Sequence, residues 1–143
     1  MRRLHGGFLV LMNYFAYGAN LSKAHMARLC PGARPRFSAR LPNYTLQFTI
    51  ASRTEGATAT LRLSRGEKVP GAVYEIDDAC LRALDKYEDY PKDYNRLKVI
   101  VFNDFGDAIE AVTYMRTRQL PEGQPGADYI KLVQQGYRDW GLI

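Results

Sequence analysis

This chain has no long hydrophobic run, no block of like charge and almost no cysteine. Near its start, Phe8-Leu9-Val10-Leu11-Met12 is five residues long before Asn13 interrupts it. A membrane-spanning helix needs about 20 apolar residues, and a secretory signal needs a longer core than this. Met-Arg-Arg ahead of the run and Ala16, Gly18 and Ala19 behind it imitate a signal peptide without its length. Met12 offers an alternative start. The expectation is therefore an N-terminal extension over residues 1–12 and a single domain over 13–143. Two cysteines, Cys30 and Cys80, make no disulfide framework. They read as small buried apolar side chains in a reducing, cytoplasmic compartment. Together with His5 and His25 they lack zinc-ligand spacing. Cys30 lies five residues after His25, off its helical face, which argues against a Cys–His nucleophile pair. Neither a Walker-type phosphate loop nor a dinucleotide fingerprint is present.

The chain does carry enough apolar residues, 46%, for a core, and enough charge, 24%, for a soluble surface. The net charge of +5 is spread over Arg2, Arg3, Arg28, Arg34, Arg36, Arg40, Arg53, Arg62 and Arg65. That dispersion favours acidic small molecules or weak nonspecific polyanion contact over a dedicated nucleic-acid surface. Arg34, Arg36 and Arg40 with Phe37 read as a solvated loop.

Along the chain, Tyr14-Phe15-Ala16-Tyr17 is a short strand that Gly18 breaks. Asn20 or Ser22 caps a helix over about residues 21–29, ended by Pro31-Gly32. Tyr44, Leu46, Phe48 and Ile50 alternate with polar residues, as a strand should. A second strand runs from Ala57 to Leu63 with Thr58, Thr60 and Arg62 outward, and a third from Val69 to Ile76. Asp77 or Asp78 then caps a helix. Leu97 to Phe102 and Ile109 to Met115 form a hairpin around Asn103-Asp104-Phe105-Gly106-Asp107. Pro121 to Gly126 is a loop. A last helix begins near Ala127, with Ile130, Val133, Tyr137 and Trp140 as its buried stripe. Strands outnumber helices, and the pattern predicts an α+β domain with a curved or closed antiparallel-rich sheet and helices at its ends.

Glu88 breaks the pattern. It lies seven residues after Leu81 and four after Leu84, so a carboxylate continues an apolar helical stripe. It also sits near the negative end of the helix dipole, just before Pro91. A half-buried carboxylate there has the setting for a raised pKa and for proton shuttling.

The segment Tyr14-Phe15-Ala16-Tyr17-Gly18-Ala19-Asn20-Leu21 resembles the Tyr-Phe-Ala-Tyr-Gly-Ser-Asn-Leu opening of the γ-glutamylcyclotransferase family, which includes the AIG2-like proteins. The likeness continues at Met26, Cys30-Pro31, Ala33, Val69, Gly71, Val73-Tyr74, Leu84-Asp85, Glu88, Tyr94, Tyr114 and Tyr129. The resemblance implies a small mixed, barrel-like sheet with flanking helices. It also implies metal-free, cofactor-free release of 5-oxoproline from small γ-glutamyl compounds; the dispersed charge and the short apolar run set aside nucleic-acid and membrane partners. By the same resemblance Glu88 is the acid/base. Tyr14, Phe15, Ala16, Tyr17, Gly18, Ala19 and Asn20 cradle the substrate, and Tyr94 and Tyr129 face it. Two positions depart from the family pattern. Ala19 stands where serine is usual, and Asp89 stands where glycine usually follows the glutamate. The rival expectations are a γ-glutamylamine cyclotransferase, a non-catalytic ligand-binding member of the family, and a weak nucleic-acid-binding module resting on the positive charge.

Overall fold

The structure is a computed structural model that describes residues 2–4, 7–51 and 56–143, with side chains from residue 10 onward. The Arg2, Arg3 and Arg53 side chains and His5, considered above, lie outside the described residues. In chain order the elements are β1 (Arg2–Leu4), β2 (Gly7–Leu9), β3 (Met12–Ala16), a 3₁₀ turn (Ala19–Leu21), α1 (Lys23–Leu29), β4 (Arg34–Thr49), β5 (Thr58–Ile76), α2 (Asp78–Tyr87), β6 (Tyr94–Asn103), β7 (Ala108–Arg116) and α3 (Ala127–Asp139). β1 and β2 pair antiparallel as a separate two-stranded sheet. The other five strands close a barrel in the order β3-β5-β4-β6-β7. β7 meets β3 in parallel at Tyr14 and Val112, while the remaining pairings are antiparallel. The architecture is thus the mixed, antiparallel-rich α+β barrel with flanking helices that the sequence pattern predicts.

Strand alternation sorts the core into two layers. Phe15 and Tyr17 join Leu61, Val69, Val73, Val99, Val101 and Ala111 in a cluster built from strands. Tyr14 and Ala16 face the other way and meet Leu21, Met26 and Leu84, which come from the helical segments. The helices are therefore clamped to the same barrel face that carries Tyr14 and Tyr114.

Four local expectations are corrected. Arg34, Arg36 and Arg40 lie in β4, not in a loop, because β4 pairs with β5 from Arg34 opposite Glu75 onward. Arg34 and Arg36 both pair with the Glu75 carboxylate, at 3.4 and 3.2 Å, and Arg40 pairs with Asp104 at 3.0 Å. The two strands expected over Ala57–Leu63 and Val69–Ile76 are parts of one strand, β5. Thr60, expected outward, is buried and accepts the Arg116 backbone N–H at 3.0 Å. Cys30 and Cys80 are buried, but they are not separate thiols. They form a disulfide with Cα atoms 5.3 Å apart, which ties the end of α1 to the first turn of α2.

α3 is held against the 3₁₀ turn. Trp140 Nε1 donates to the Leu21 carbonyl at 2.8 Å, and Asp139 accepts the Lys23 N–H at 2.9 Å. Gly136 lies at the point of closest approach. A Cβ there would overlap Leu21 Cβ and sit 2.7 Å from the Leu21 carbonyl carbon.

Candidate active site

α2 begins at Asp77, whose side chain accepts the Cys80 N–H at 2.9 Å. Leu84 is buried and Leu81 packs against the same cluster. Tyr87 is the last helical residue, so Glu88 is the C-cap, one position beyond the last turn. Its N–H still reaches the Leu84 carbonyl at 2.9 Å, which keeps its side chain on the apolar face. The next residue, Asp89, takes φ +53°. Asp89 N–H bonds to the Lys86 carbonyl at 3.2 Å and Tyr90 N–H to the Asp85 carbonyl at 2.8 Å, the pattern of a Schellman cap. This turn places Glu88 and Asp89 side by side on the lining of one cleft.

The cleft has a volume of about 300 Å3. One wall is Tyr14 with the stretch from Tyr17 to Asn20, another is Thr58 and Ala59 of β5, and a third is Tyr87 to Asp89. Asp93, Tyr94, Tyr114 and Tyr129 complete it. The phenols are anchored. Tyr17 donates to the Tyr114 carbonyl at 2.6 Å, and Tyr94 donates to the Ala59 carbonyl at 2.8 Å. The Tyr129 hydroxyl accepts the Ala59 N–H at 2.9 Å, and Tyr114 donates to Asp85 at 2.6 Å. Tyr14 accepts from Asn20 Nδ2 at 2.9 Å, while the buried Asn20 Oδ1 has no partner among the described residues. Gly18 fits because a Cβ would lie 3.0 Å from the Tyr129 hydroxyl and 3.1 Å from Ala59 Cβ. Close approach, not a positive φ, is what favours glycine here.

Burial pushes the Glu88 carboxyl up from 4.5 to about 7; Arg116 opposes the rise and Asp93 adds to it. Burial also holds Tyr14, Tyr17, Tyr94 and Tyr129 above the usual phenol range, and the Glu88 charge reinforces this. The tyrosines are therefore neutral hydrogen-bonding groups at physiological pH, and Glu88 titrates among them. An acid that is half ionised near neutrality both accepts and returns a proton at little cost.

Residues 14–139 match the family described as Gamma-glutamyl cyclotransferase, AIG2-like. This chain belongs to that family. It is 29% identical over 135 residues to the Homo sapiens Gamma-glutamylcyclotransferase, covering 90% of this chain and 71% of that protein. It is 30% identical to the Bos taurus Gamma-glutamylcyclotransferase over the same span and shares. A Mus musculus Gamma-glutamylaminecyclotransferase is 37% identical over 65 residues, covering 41% of this chain and 44% of that protein. Among solved structures, a Gamma-glutamyl cyclotransferase superposes with TM-score 0.86 at 27% identity, covering 93% of this chain and 82% of that one.

Of the residues that the resemblance to the γ-glutamyl cyclotransferase family singles out, Glu88, Tyr14, Tyr17, Gly18, Ala19, Asn20, Tyr94 and Tyr129 all line the cleft. Phe15 and Ala16 do not. Both are fully buried, Phe15 in the strand cluster and Ala16 beneath the helices. They pack the core beside Tyr14 and Tyr17, which reach the cleft. Sequence reading missed Thr58, Asp93 and Arg116, and gave Tyr114 no role in the site. Period-two arithmetic had the signal for Arg116, which lies two residues after Tyr114 on one strand and so shares its face. No cluster of three or more His, Cys, Asp or Glu able to hold a metal occurs among the described residues.

Proposed function

We propose that this chain cyclises the γ-glutamyl group of small γ-glutamyl amino acids or amines, releasing 5-oxoproline and a free amine. The observation that carries this reading is Glu88, a carboxyl that burial brings to about 7, in a cleft it shares with neutral tyrosines, the Gly18 turn and the side chains of Asp89 and Asp93. Glu88 takes a proton from the substrate α-ammonium. The freed amine attacks the γ-carbonyl of the same molecule, forming the ring C–N bond. Glu88 then returns the proton to the leaving nitrogen as the original amide C–N bond breaks, and the ring nitrogen sheds its remaining extra proton to solvent, from which the released amine is protonated. The attack is intramolecular, so holding the substrate folded removes most of the entropic barrier, and no protein nucleophile is needed. The Tyr14 and Tyr129 hydroxyls, which act as acceptors in the bonds above and so keep their own protons, and backbone N–H groups near the turn supply donors to the developing oxyanion. Asn20 Oδ1, buried and unpartnered, supplies an acceptor suited to the α-ammonium.

A specific observation favours amine leaving groups. Glu88, Asp89 and Asp93 line the cleft, and no Lys, Arg or His does among the described residues. Asp89 is exposed, and no ion pair to it is found among the described residues. A leaving group with a distal ammonium and no carboxylate suits that charge, as in a γ-glutamylamine. Within this reading, residues 13–143 form the catalytic domain and the protein takes part in glutathione or γ-glutamyl metabolism. No described helix is long and apolar enough to cross a membrane. The test is a panel of a γ-glutamyl amino acid, a γ-glutamyl diamine and glutathione, assayed for 5-oxoproline. Release from the diamine conjugate above the others is expected, and absence of 5-oxoproline from every substrate overturns the reading.

A further inference from the structure

The Arg116 guanidinium is the most enclosed cation in the described structure, with its side chain 2% exposed at the end of β7. Every one of its nitrogens is used. Nη1 donates to both Asp93 carboxylate oxygens, at 2.8 and 2.9 Å. Nε donates to Thr49 Oγ1 at 2.7 Å. Nη2 donates to Thr58 Oγ1 at 2.7 Å and to the Thr49 carbonyl at 3.2 Å. The plane also lies over the Tyr94 ring, 4.8 Å from its centroid. Asp93, Thr58 and Tyr94 are cleft walls, so one buried cation organises one side of the cleft from behind without lining it.

We propose that Arg116 is a positioning residue for Glu88: it fixes the Asp93–Thr58–Tyr94 wall and, with Asp93, sets the charge balance under which the Glu88 carboxyl works. This rests on the acid/base reading of Glu88. Around that carboxyl, Tyr14 and Tyr17 face it from β3 and the turn, Tyr94 from β6, Tyr114 from β7 and Tyr129 from α3. All are phenols that burial keeps neutral. Tyr87 precedes it in α2 and is likewise pushed up. Asp85 is occupied by Arg96 and the Tyr114 hydroxyl. The charges that remain are the exposed Asp89 and the Arg116–Asp93 pair. Arg116 restrains the rise that burial imposes on Glu88 and Asp93 opposes that restraint, so the two partners act on Glu88 with opposite sign.

That opposition makes the test. The Glu88 carboxyl is titrated directly by 13C NMR in protein labelled at glutamate, its resonance assigned by loss in Glu88→Gln. In the wild type the midpoint is expected near 7. Arg116→Met is expected to raise it, Asp93→Asn to lower it, and Arg116→Lys, which keeps the charge, to restore it towards wild type. The acid limb of kcat/KM for 5-oxoproline release moves with it, so Arg116→Met loses about tenfold at pH 6, the effect of roughly one unit. A purely structural Arg116 would lower stability and leave the midpoint alone. Midpoints that stay fixed in both variants, or that move in the same direction, overturn the proposal. If Arg116→Met does not fold, Asp93→Asn decides by itself, a lowered midpoint supporting the proposal and a fixed one refuting it. The titration needs no substrate, so it decides the role of Arg116 even if no γ-glutamyl compound is turned over.

Discussion

Glu88 and Asp89 are neighbours in the chain with opposite problems. The first is a charge pressed into an apolar face, and the second is a side chain held in a left-handed turn. Glu88→Gln keeps the shape of the first and removes its proton exchange. Turnover should fall by about 10²-fold or more. Near-normal 5-oxoproline release by a correctly folded Glu88→Gln variant would remove Glu88 from the mechanism. At Asp89 the backbone φ of +53° suits glycine, and the Schellman bonds around it do not depend on the side chain. Asp89→Gly should therefore stabilise the fold by about 0.5–1 kcal/mol, the relief of the turn being partly offset by a freer unfolded chain. It should also cut preference for γ-glutamylamines, because it deletes the exposed charge at the cleft. Urea midpoints and the ratio of kcat/KM for amine and amino-acid conjugates read the two effects separately. A variant as selective as its parent would show that Asp89 does not choose the leaving group.

At the scale of elements, the position of α3 decides where Tyr129 stands. Gly136 lets α3 lie directly on the Leu21 turn, and the Trp140 and Asp139 contacts lock it there. Gly136→Ala, an improvement in helix propensity, is expected instead to destabilise by about 1–3 kcal/mol through overpacking against backbone. It should also lower activity by displacing Tyr129. A thermal-unfolding midpoint raised above that of the wild type would contradict this packing. The same element shows what a sequence exposes and what it hides. The stripe Ile130, Val133, Tyr137 and Trp140 marks the helix, but Val133 and Gly136 are its buried residues, and a missing side chain gives no hydrophobic signal. α2 is readable because its apolar period runs into Glu88. β3 is readable because a short aromatic run ends at Gly18. The arginines of β4 hide a strand, since pairing with β5 and ion pairs to Glu75 outweigh polar composition. The Cys30–Cys80 bridge joins residues 50 apart, a contact only the docking of α1 beside α2 creates. Arg116 sits at the end of a readable strand, but its partners come from β4, β5 and the segment before β6.

The whole molecule bears the cost of its site, and pH reveals it. Glu88 has a folded pKa of about 7 against an ordinary 4.5, so the folded state holds its proton more tightly than the unfolded chain does. A carboxyl raised on folding contributes stability that is fully present below the unfolded value and lost as pH rises through the folded one. The window is therefore pH 4.5 to about 7. Across it the wild type should lose about 3 kcal/mol from this group, at roughly 1.4 kcal/mol per unit. Glu88→Gln has no proton to lose and escapes that penalty. The inactive variant should then match the wild type in stability at pH 4 and exceed it at pH 8, by up to about 3 kcal/mol. Urea unfolding of both proteins at the two pH values measures the difference directly. Equal stabilities at pH 8 would mean that the Glu88 carboxylate is as well solvated in the fold as in water, and a carboxylate so solvated would have no raised pKa with which to shuttle protons at neutrality.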